Sequence, residues 1–458
     1  TICAFFLRGT HASNLTMQTT CFGLLLVFLI YLHQSKAAPS ANLKSYKGHQ
    51  VVQIDPRNED DVNMLKALQK KRLRLEFWTQ PMKADNPVNV MVHPEHQQMF
   101  HLLLKTNGMN YHVSVPDVEG AISGQTEHSA RPSEENGFDF SRYHTMEEIY
   151  EWLSEIQSRR SDLVSLVDLG KSWQDRPIIA VKISSPNEQG PKKAMWLDAG
   201  IHANEWIGPA TLLYFINQLI SGYDTNGEIR WLVDNLDWYI LPVFNPDGYI
   251  YTWTTDRLWR KNRADYHEQP ECKGVDMNRN WDFLWGEGES DTDPCGRMYI
   301  GPSAFSEPEV KAVANFLASH NSSILLYAAY HSFSQLWMLP YSYSDVDVPP
   351  NLDELVNVSR RAVAVLKSVH GTEYHIGSVS KLVGKTAGAS LDYTYGTLKI
   401  PYSFGIELRD TGFHGTLLPP DQIIPNCEES WAAIKEVAHH IIDKLHQFSI
   451  PQNEQAAR

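Results

Sequence analysis

From Tyr143 onward, long helical periods alternate with short, wholly apolar runs, and this alternation limits the possible folds more than any other feature of the chain. The apolar periodicity predicts helices over residues 145–159, 207–221, 307–319, 352–369 and 428–448. Between them, apolar strands are predicted at 178–183, 194–199, 238–243, 324–330 and 402–406. A strand that is apolar at consecutive positions must be covered on both faces. The expectation is therefore an α/β fold, with a mixed central sheet and helices on both faces.

The front of the chain reads differently. Residues 49–115 follow the order strand, helix, strand, strand, helix, strand, which predicts a small ferredoxin-like α+β domain over 39–116. Residues 117–137 are rich in Gly, Ser, Glu and Pro and read as an exposed connecting segment, extending to residue 142. Arg131 and Arg142 in it are candidate sites for a trypsin-like endopeptidase. The second domain is expected to span 143–458, consistent with a chain of 458 residues being too long for one core.

The formal charge of -14 argues against a nucleic-acid partner, which requires a basic face. The apolar run 22–32 is too short to cross a bilayer and precedes small residues ending at Ala38, so a secretory signal from Met17 to Ala38 is predicted. Residues 1–16 are read as upstream translated sequence. A secreted protein with no membrane association after signal removal follows. The sequons at Asn321 and Asn357 fit this reading. With Cys3 and Cys21 in the front segment, Cys272, Cys295 and Cys427 remain. Cys272 and Cys295 flank a Gly/Asp/Trp-rich loop and are paired, a closure worth about 3 kcal/mol. Cys427 is expected as a buried free thiol before the last helix.

The apolar strand at 194–199 runs into Gly-Ile-His202-Ala-Asn-Glu205-Trp, which places an imidazole and a carboxylate at a strand-to-helix turn. His331 ends the strand at 324–330. Two imidazoles and one carboxylate form the donor set of a catalytic zinc with one open position, although each residue alone also suits a structural role. A basic cluster, Arg257 to Arg263, is followed by Asp276-Met-Asn278-Arg279-Asn-Trp281, and a guanidinium matches a carboxylate bidentately. Glu407 closes the apolar strand at 402–406, either paired with Arg409 or serving as a general base.

Taken in order, His-x-x-Glu-Trp, Leu-Trp-Arg-Lys-x-Arg, Asp-x-Asn-Arg-Asn-Trp, His-Ser-x-Ser-Gln and Ile-Glu-Leu-Arg-Asp-Thr-Gly resemble the pancreatic-type zinc carboxypeptidases A and B in their precursor form. Carboxypeptidase A is itself a standard example of the two-His, one-Glu set, so that agreement carries no independent weight. The resemblance implies a zinc carboxypeptidase fold behind an activation propeptide, and one Zn2+ per chain on His202, Glu205 and His331. It implies Glu407 as the base that activates the attacking water, with Arg260 stabilising the oxyanion. Asn278 and Arg279 would hold the substrate's terminal carboxylate, with Ser332 beside its backbone. Leu391 stands at the pocket floor where basic-specific relatives carry Asp, and with Val379 and Gly405 it predicts bulky aliphatic or aromatic terminal residues. The expected partners are peptide and protein C-termini and an activating endopeptidase, and a monomer is expected.

Three positions depart from the family pattern. Gly384 stands where a mobile tyrosine usually closes over the substrate, Asn204 where an arginine is common, and Phe333 where a tyrosine is common. The usual activation cleavage aligns after Arg131, which precedes Pro132. An alternative reading is a catalytically weak protein that captures peptide C-termini on the same fold. A zinc endopeptidase or aminoacylase fits less well, because Asn278 and Arg279 suit a free carboxylate.

Overall fold

The computed structural model describes residues 43–449 except 72, 130–136, 187–189, 267–271 and 289. The predicted signal segment and the Arg131-Pro132 bond lie outside the described residues. Among the described residues, no helix is long and apolar enough to cross a membrane.

Strands β1 (Gln50–Asp55), β2 (Leu75–Phe77), β3 (Val88–Val92) and β4 (Asn110–Val115) form an antiparallel sheet in the order β2-β3-β1-β4. Helices α1 (Glu59–Lys70) and α2 (Gln97–Thr106) complete the predicted βαββαβ unit. Alternation along the strands gives the sheet two apolar faces. Val52, Ile54, Val88, Val90 and Val92 pack with Leu65 of α1 and Phe100 of α2. Val51, Met91 and Val115 point the other way and pack with Leu258 and Leu417 of the larger domain. All five residues of β3 are therefore buried, although the sheet is only one layer deep.

The connecting segment departs from expectation. Val118–Ser129 form a helix, α3, and its Gln125 is buried. The Gln125 carboxamide bridges to the larger domain, donating to the Leu418 carbonyl (2.8 Å) and accepting from Arg257 Nε (2.9 Å). Arg142, expected as an alternative cleavage site, is instead buried and structural. Its guanidinium donates to both oxygens of Glu148 at 2.7 and 3.1 Å and to the Ser129 carbonyl at 3.1 Å. Glu148 in turn forms a capping box with Thr145 at the start of α4 (Met146–Arg159).

The larger domain is the predicted α/β sandwich. Eight strands run in the order β11-β10-β12-β9-β7-β8-β6-β5. At the centre, β12 (Tyr402–Leu408), β9 (Ile324–Ser332), β7 (Lys193–Ala199) and β8 (Leu236–Leu241) pair in parallel. Alternate residues of β7 feed two separate cores, Met195 and Leu197 on one side and Ala194 and Trp196 on the other. Helices α5 (Ile207–Gly222), α6 (Gly227–Asn235), α7 (Pro246–Thr254), α8 (Pro308–His320), α9 (Leu352–His370) and α10 (Ile423–Ser449) follow in chain order. The outer strands β5 (Val164–Lys171), β6 (Pro177–Ile183), β10 (Leu336–Leu339) and β11 (His375–Ser378) complete the sheet. Of these, only β6 was expected, because β5 lies at an edge of the sheet with only its first residue buried, while β10 and β11 are four residues each. The last helix begins at Ile423, so Cys427 lies inside it rather than before it, buried and free as expected. Cys272 and Cys295 form the expected disulfide. Asn321 and Asn357 are both exposed.

Candidate metal centre

The parallel centre of the sheet brings the predicted donors together at the carboxyl ends of its strands. After β7, Gly200 turns the chain at φ +69°, a left-handed conformation that a side chain resists, and α5 starts close by. That turn carries His202 and Glu205. His331 lies near the end of β9, and the β9–β12 register sets Glu407 beside it.

The His202 Nδ1, His331 Nδ1 and Glu205 carboxylate atoms all lie within 4.8 Å of one another and are buried. His202 Nδ1 is 2.8 Å from Glu205 Oε1, while His331 Nδ1 is 3.1 Å from both Glu205 Oε2 and His202 Nδ1. On the far side of its ring, His202 Nε2 meets Asp276 Oδ1 at 3.1 Å, which leaves Nδ1 as the free donor. Two imidazole nitrogens facing each other beside a carboxylate, with one ring held by a second carboxylate, fit a zinc ion with an open position. Burial would raise the Glu205 carboxyl, but the charge and hydrogen bond of His202, then those of His331, outweigh it and hold the group well below its usual range.

Arg260 joins the two carboxylates. It donates through Nε and Nη2 to Asp276 Oδ2 at 3.1 and 2.9 Å, and its Nη1 is 3.4 Å from Glu205 Oε1. The rest of the basic cluster is used structurally. Arg257 stacks over Trp206, Arg263 lies over Tyr251 and Trp259, and Lys261 donates to backbone carbonyls.

Glu407 is not paired with Arg409, whose guanidinium instead binds Glu429 at 2.6 Å. Glu407 Oε2 is buried without a hydrogen-bond partner among the described residues. Burial raises its carboxyl above the usual range, with His331 opposing the rise, Glu205 adding to it and Arg260 opposing it. The Ser332 hydroxyl is likewise unpartnered, while the Ser332 N–H donates to Glu205 Oε2 at 3.2 Å. Asn278 accepts the Ser390 N–H at 3.0 Å and its Nδ2 lies 3.4 Å from His331 Nε2. Arg279 donates to the Asn278 carbonyl at 2.8 Å.

Val379 and Leu391 meet in a small apolar cluster apart from the main cores, together with Leu336 and Met338 of β10. Gly405 borders it, since a Cβ there would sit 3.2 Å from Met338 Cε and 3.9 Å from Leu391. The register of β10 against β12 pairs Met338 with Gly405 and Leu336 with Glu407, so the cluster adjoins the candidate base. Leu336 and Met338 escaped sequence reasoning, as did the Asp276 contact to His202. Only the position of Asp276 within the Asp-x-Asn-Arg motif signalled it.

The smaller domain covers this cleft. Glu76 of β2 pairs with Arg297 at 2.9 Å, Lys44 with Asp256 at 2.9 Å, and Trp78 lies against Gly415 beside Phe333. A Cβ on Gly384 would fall 2.5 Å from Met82 Cβ, so the glycine leaves the space that Met82 occupies.

Comparison with known proteins accounts for both domains. Residues 149–433 match the zinc carboxypeptidase family and residues 52–125 the carboxypeptidase activation peptide. The chain is 39% identical to carboxypeptidase A2 of Rattus norvegicus over 404 residues, 87% of this chain and 95% of the relative. It is 35% identical to carboxypeptidase A1 of Homo sapiens, with the same coverage. Its structure is similar to that of thrombin activatable fibrinolysis inhibitor, with TM-score 0.81 and 35% identity over 87% of this chain and all of that one. The chain belongs to the zinc carboxypeptidase family of hydrolases. Within that family it is an A-type metallocarboxypeptidase in precursor form, carrying its activation peptide ahead of the enzyme.

Proposed function

We propose that the chain is secreted as a latent monomer with its signal at 17–38, propeptide domain at 39–116 and connecting segment at 117–142. Cleavage in that segment releases a catalytic domain, 143–458, that removes bulky aliphatic or aromatic residues from peptide C-termini. The observation that carries the substrate preference is the apolar cluster of Leu391, Val379, Leu336 and Met338 beside Glu407. Asp392, the carboxylate next to Leu391, is turned onto the Ser342 and Tyr343 N–H groups, and burial pushes it up to about 7. Among the described residues the pocket cluster itself holds only apolar side chains, so a lysine or arginine entering it finds no carboxylate at the floor, which makes its burial costly.

Zinc held by His202, Glu205 and His331 would polarise the scissile carbonyl and acidify the attacking water. Glu407 takes the water's proton on its unpartnered Oε2 and passes it to the leaving amine. Arg260, positioned by Asp276, donates to the developing oxyanion, a contribution of about 3 kcal/mol. Asn278 and Arg279 fix the terminal carboxylate, and Ser332 lies beside the substrate backbone. The test is release of C-terminal Phe, Leu or Lys from blocked dipeptides by the trimmed protein, with and without a zinc chelator. Chelator-sensitive release of Phe and Leu but not Lys is expected. Bound zinc with no release of any residue would instead indicate a protein that only captures C-termini.

A further inference from the structure

Arg297 is absent from the family motifs and has no role in the mechanism above, yet it is fixed beside the reacting centre. Its loop is held to the Arg260 segment by two clamps. Lys261 Nζ donates to the Pro294 and Gly296 carbonyls at 2.9 and 3.0 Å, and Cys295, two residues before Arg297, is tied to Cys272. Burial lowers the guanidinium and Glu76 raises it, with smaller contributions from Arg260, Glu205 and Asp276 at the candidate metal site. Among the described residues its one ion pair is with Glu76, on the domain that must leave. With that pair closed, 20% of the Arg297 side chain still faces solvent, as expected at a cleft rim.

The path of the covering segment shows which side of the scissile bond Arg297 serves. Glu76 meets Arg297, and two residues further on Trp78 rests near Phe333, the neighbour of Ser332. A Cβ on Gly415 would sit 2.9 Å from the Trp78 ring and 3.0 Å from the Phe333 ring. The segment 76–78 thus runs from Arg297 to the neighbourhood of Phe333, the residue after Ser332. The terminal residue itself belongs on the other side, with Asn278, Arg279 and Leu391. Arg260, which would receive the carbonyl under attack, is followed directly by Lys261, whose ammonium holds the loop that carries Arg297.

We propose that Arg297 is a specificity-determining residue, uncovered when the activation domain leaves, that binds an acidic side chain at one of the two positions preceding the C-terminal residue. Glu76 occupies this anion site in the precursor. The planar guanidinium pairs with a carboxylate through parallel N–H donors, which a neutral or cationic side chain cannot match. The proposal rests on the carboxypeptidase reading of the site.

The test uses the zinc-loaded full chain converted by limited proteolysis within residues 130–136. Both cores of the larger domain are built from residues 138 onward and survive this cut. Blocked tetrapeptides ending in Phe carry Glu, Gln or Lys at each of the two preceding positions. At one position the Glu peptide should exceed its Gln counterpart roughly five- to tenfold in kcat/KM, mostly through KM. In Arg297→Gln the Glu-to-Gln ratio should fall to near one, and in Arg297→Glu it should invert in favour of Lys. Because each ratio is taken within one variant, a smaller folded fraction cancels. Ratios near one in the unsubstituted enzyme would overturn the proposal while leaving the carboxypeptidase reading intact. A preference for Lys would overturn it in favour of Asp256, which loses Lys44 when the activation domain departs. Failure to cleave even the Gln peptides would sink both.

Discussion

The activation domain and the enzyme it covers use their sheets in opposite ways. The four-stranded antiparallel sheet packs one face on its own helices and the other on its neighbour, and no metal-donor cluster arises in it among the described residues. The eight-stranded sheet is covered on both faces by its own chain, and its central parallel strands all end at the same edge. Chemistry gathers at that edge because parallel strands deliver His202, His331 and Glu407 side by side from segments far apart in sequence. At the cleft the activation domain presents side chains such as Glu76, Trp78 and Met82, while its sheet face docks through the mixed apolar cluster with Leu258 and Leu417. Function in one region is therefore built into the fold, and in the other it is built into a removable contact.

The strongest way to break this comparison is Glu407→Gln. If the sheet edge alone makes the enzyme, this variant should keep its zinc, its disulfide and its melting temperature. It should nonetheless lose about 100- to 10,000-fold in kcat on blocked Phe dipeptides after trimming. Zinc content, thermal unfolding and steady-state kinetics on one preparation check all three. Activity within a factor of two of the unsubstituted enzyme would remove Glu407 from the proton path.

The same contrast explains what could be read from the sequence. The central strands were legible because burial on both faces leaves nearly continuous apolar runs, as in Ala-Met-Trp-Leu of β7 and Ile-Leu-Leu-Tyr of β9. The donors were legible because they directly follow or end such runs. Strand β10 was not, since four residues carry no period, and with it went Leu336 and Met338 of the apolar cluster. Helix α3 was hidden by Gly120, Gly124 and its serines, poor helix formers. Docking of Gln125 between Arg257 and Leu418 provides a tertiary anchor that local propensity does not reveal. Contacts such as Glu76 with Arg297 and Met82 with Gly384 join residues hundreds of positions apart and leave no local trace.

Gly384→Tyr sharpens the comparison from the side of the removable contact. Restoring the family's tyrosine places a Cβ 2.5 Å from that of Met82 and asks a bulky residue to adopt φ +107°. Overpacking of this kind costs about 1–3 kcal/mol, so the nicked precursor should release its activation domain roughly tenfold faster or more. Size-exclusion chromatography over time after nicking measures the release. Met82→Ala in the same chain should recover part of the loss, because it removes the Met82 Cγ and Cε that would lie 2.9 and 3.0 Å from the new Cβ, although the Cβ contact itself stays. Unchanged release in Gly384→Tyr would show that the loop at 381–384 moves aside and that Met82 contributes little to latency.

A last contrast separates the two regions by the sign of their pH dependence. In the activation domain, the hydrogen bonds and charge of Arg57 hold the Asp61 carboxyl below its usual value. Its contribution is present above about pH 4 and is lost as the pH falls through the lowered value. In the enzyme, burial pushes Glu309 up to about 8; its Oε1 accepts the Trp173 N–H at 3.0 Å and its Oε2 lies 3.3 Å from Asn262 Nδ2. The folded state keeps this proton after the unfolded chain has released it, so the stabilising contribution is full below the unfolded value near 4.5 and is lost as the pH rises toward 8. The slope is at most about 1.4 kcal/mol per pH unit. Glu309→Gln retains an acceptor for Trp173 and has no proton to lose, so denaturant unfolding of the trimmed enzyme between pH 5 and 8 should be flatter than in the unsubstituted protein. Equal slopes in the two proteins would mean that Glu309 is already ionised in the fold and that Asn262 satisfies its charge.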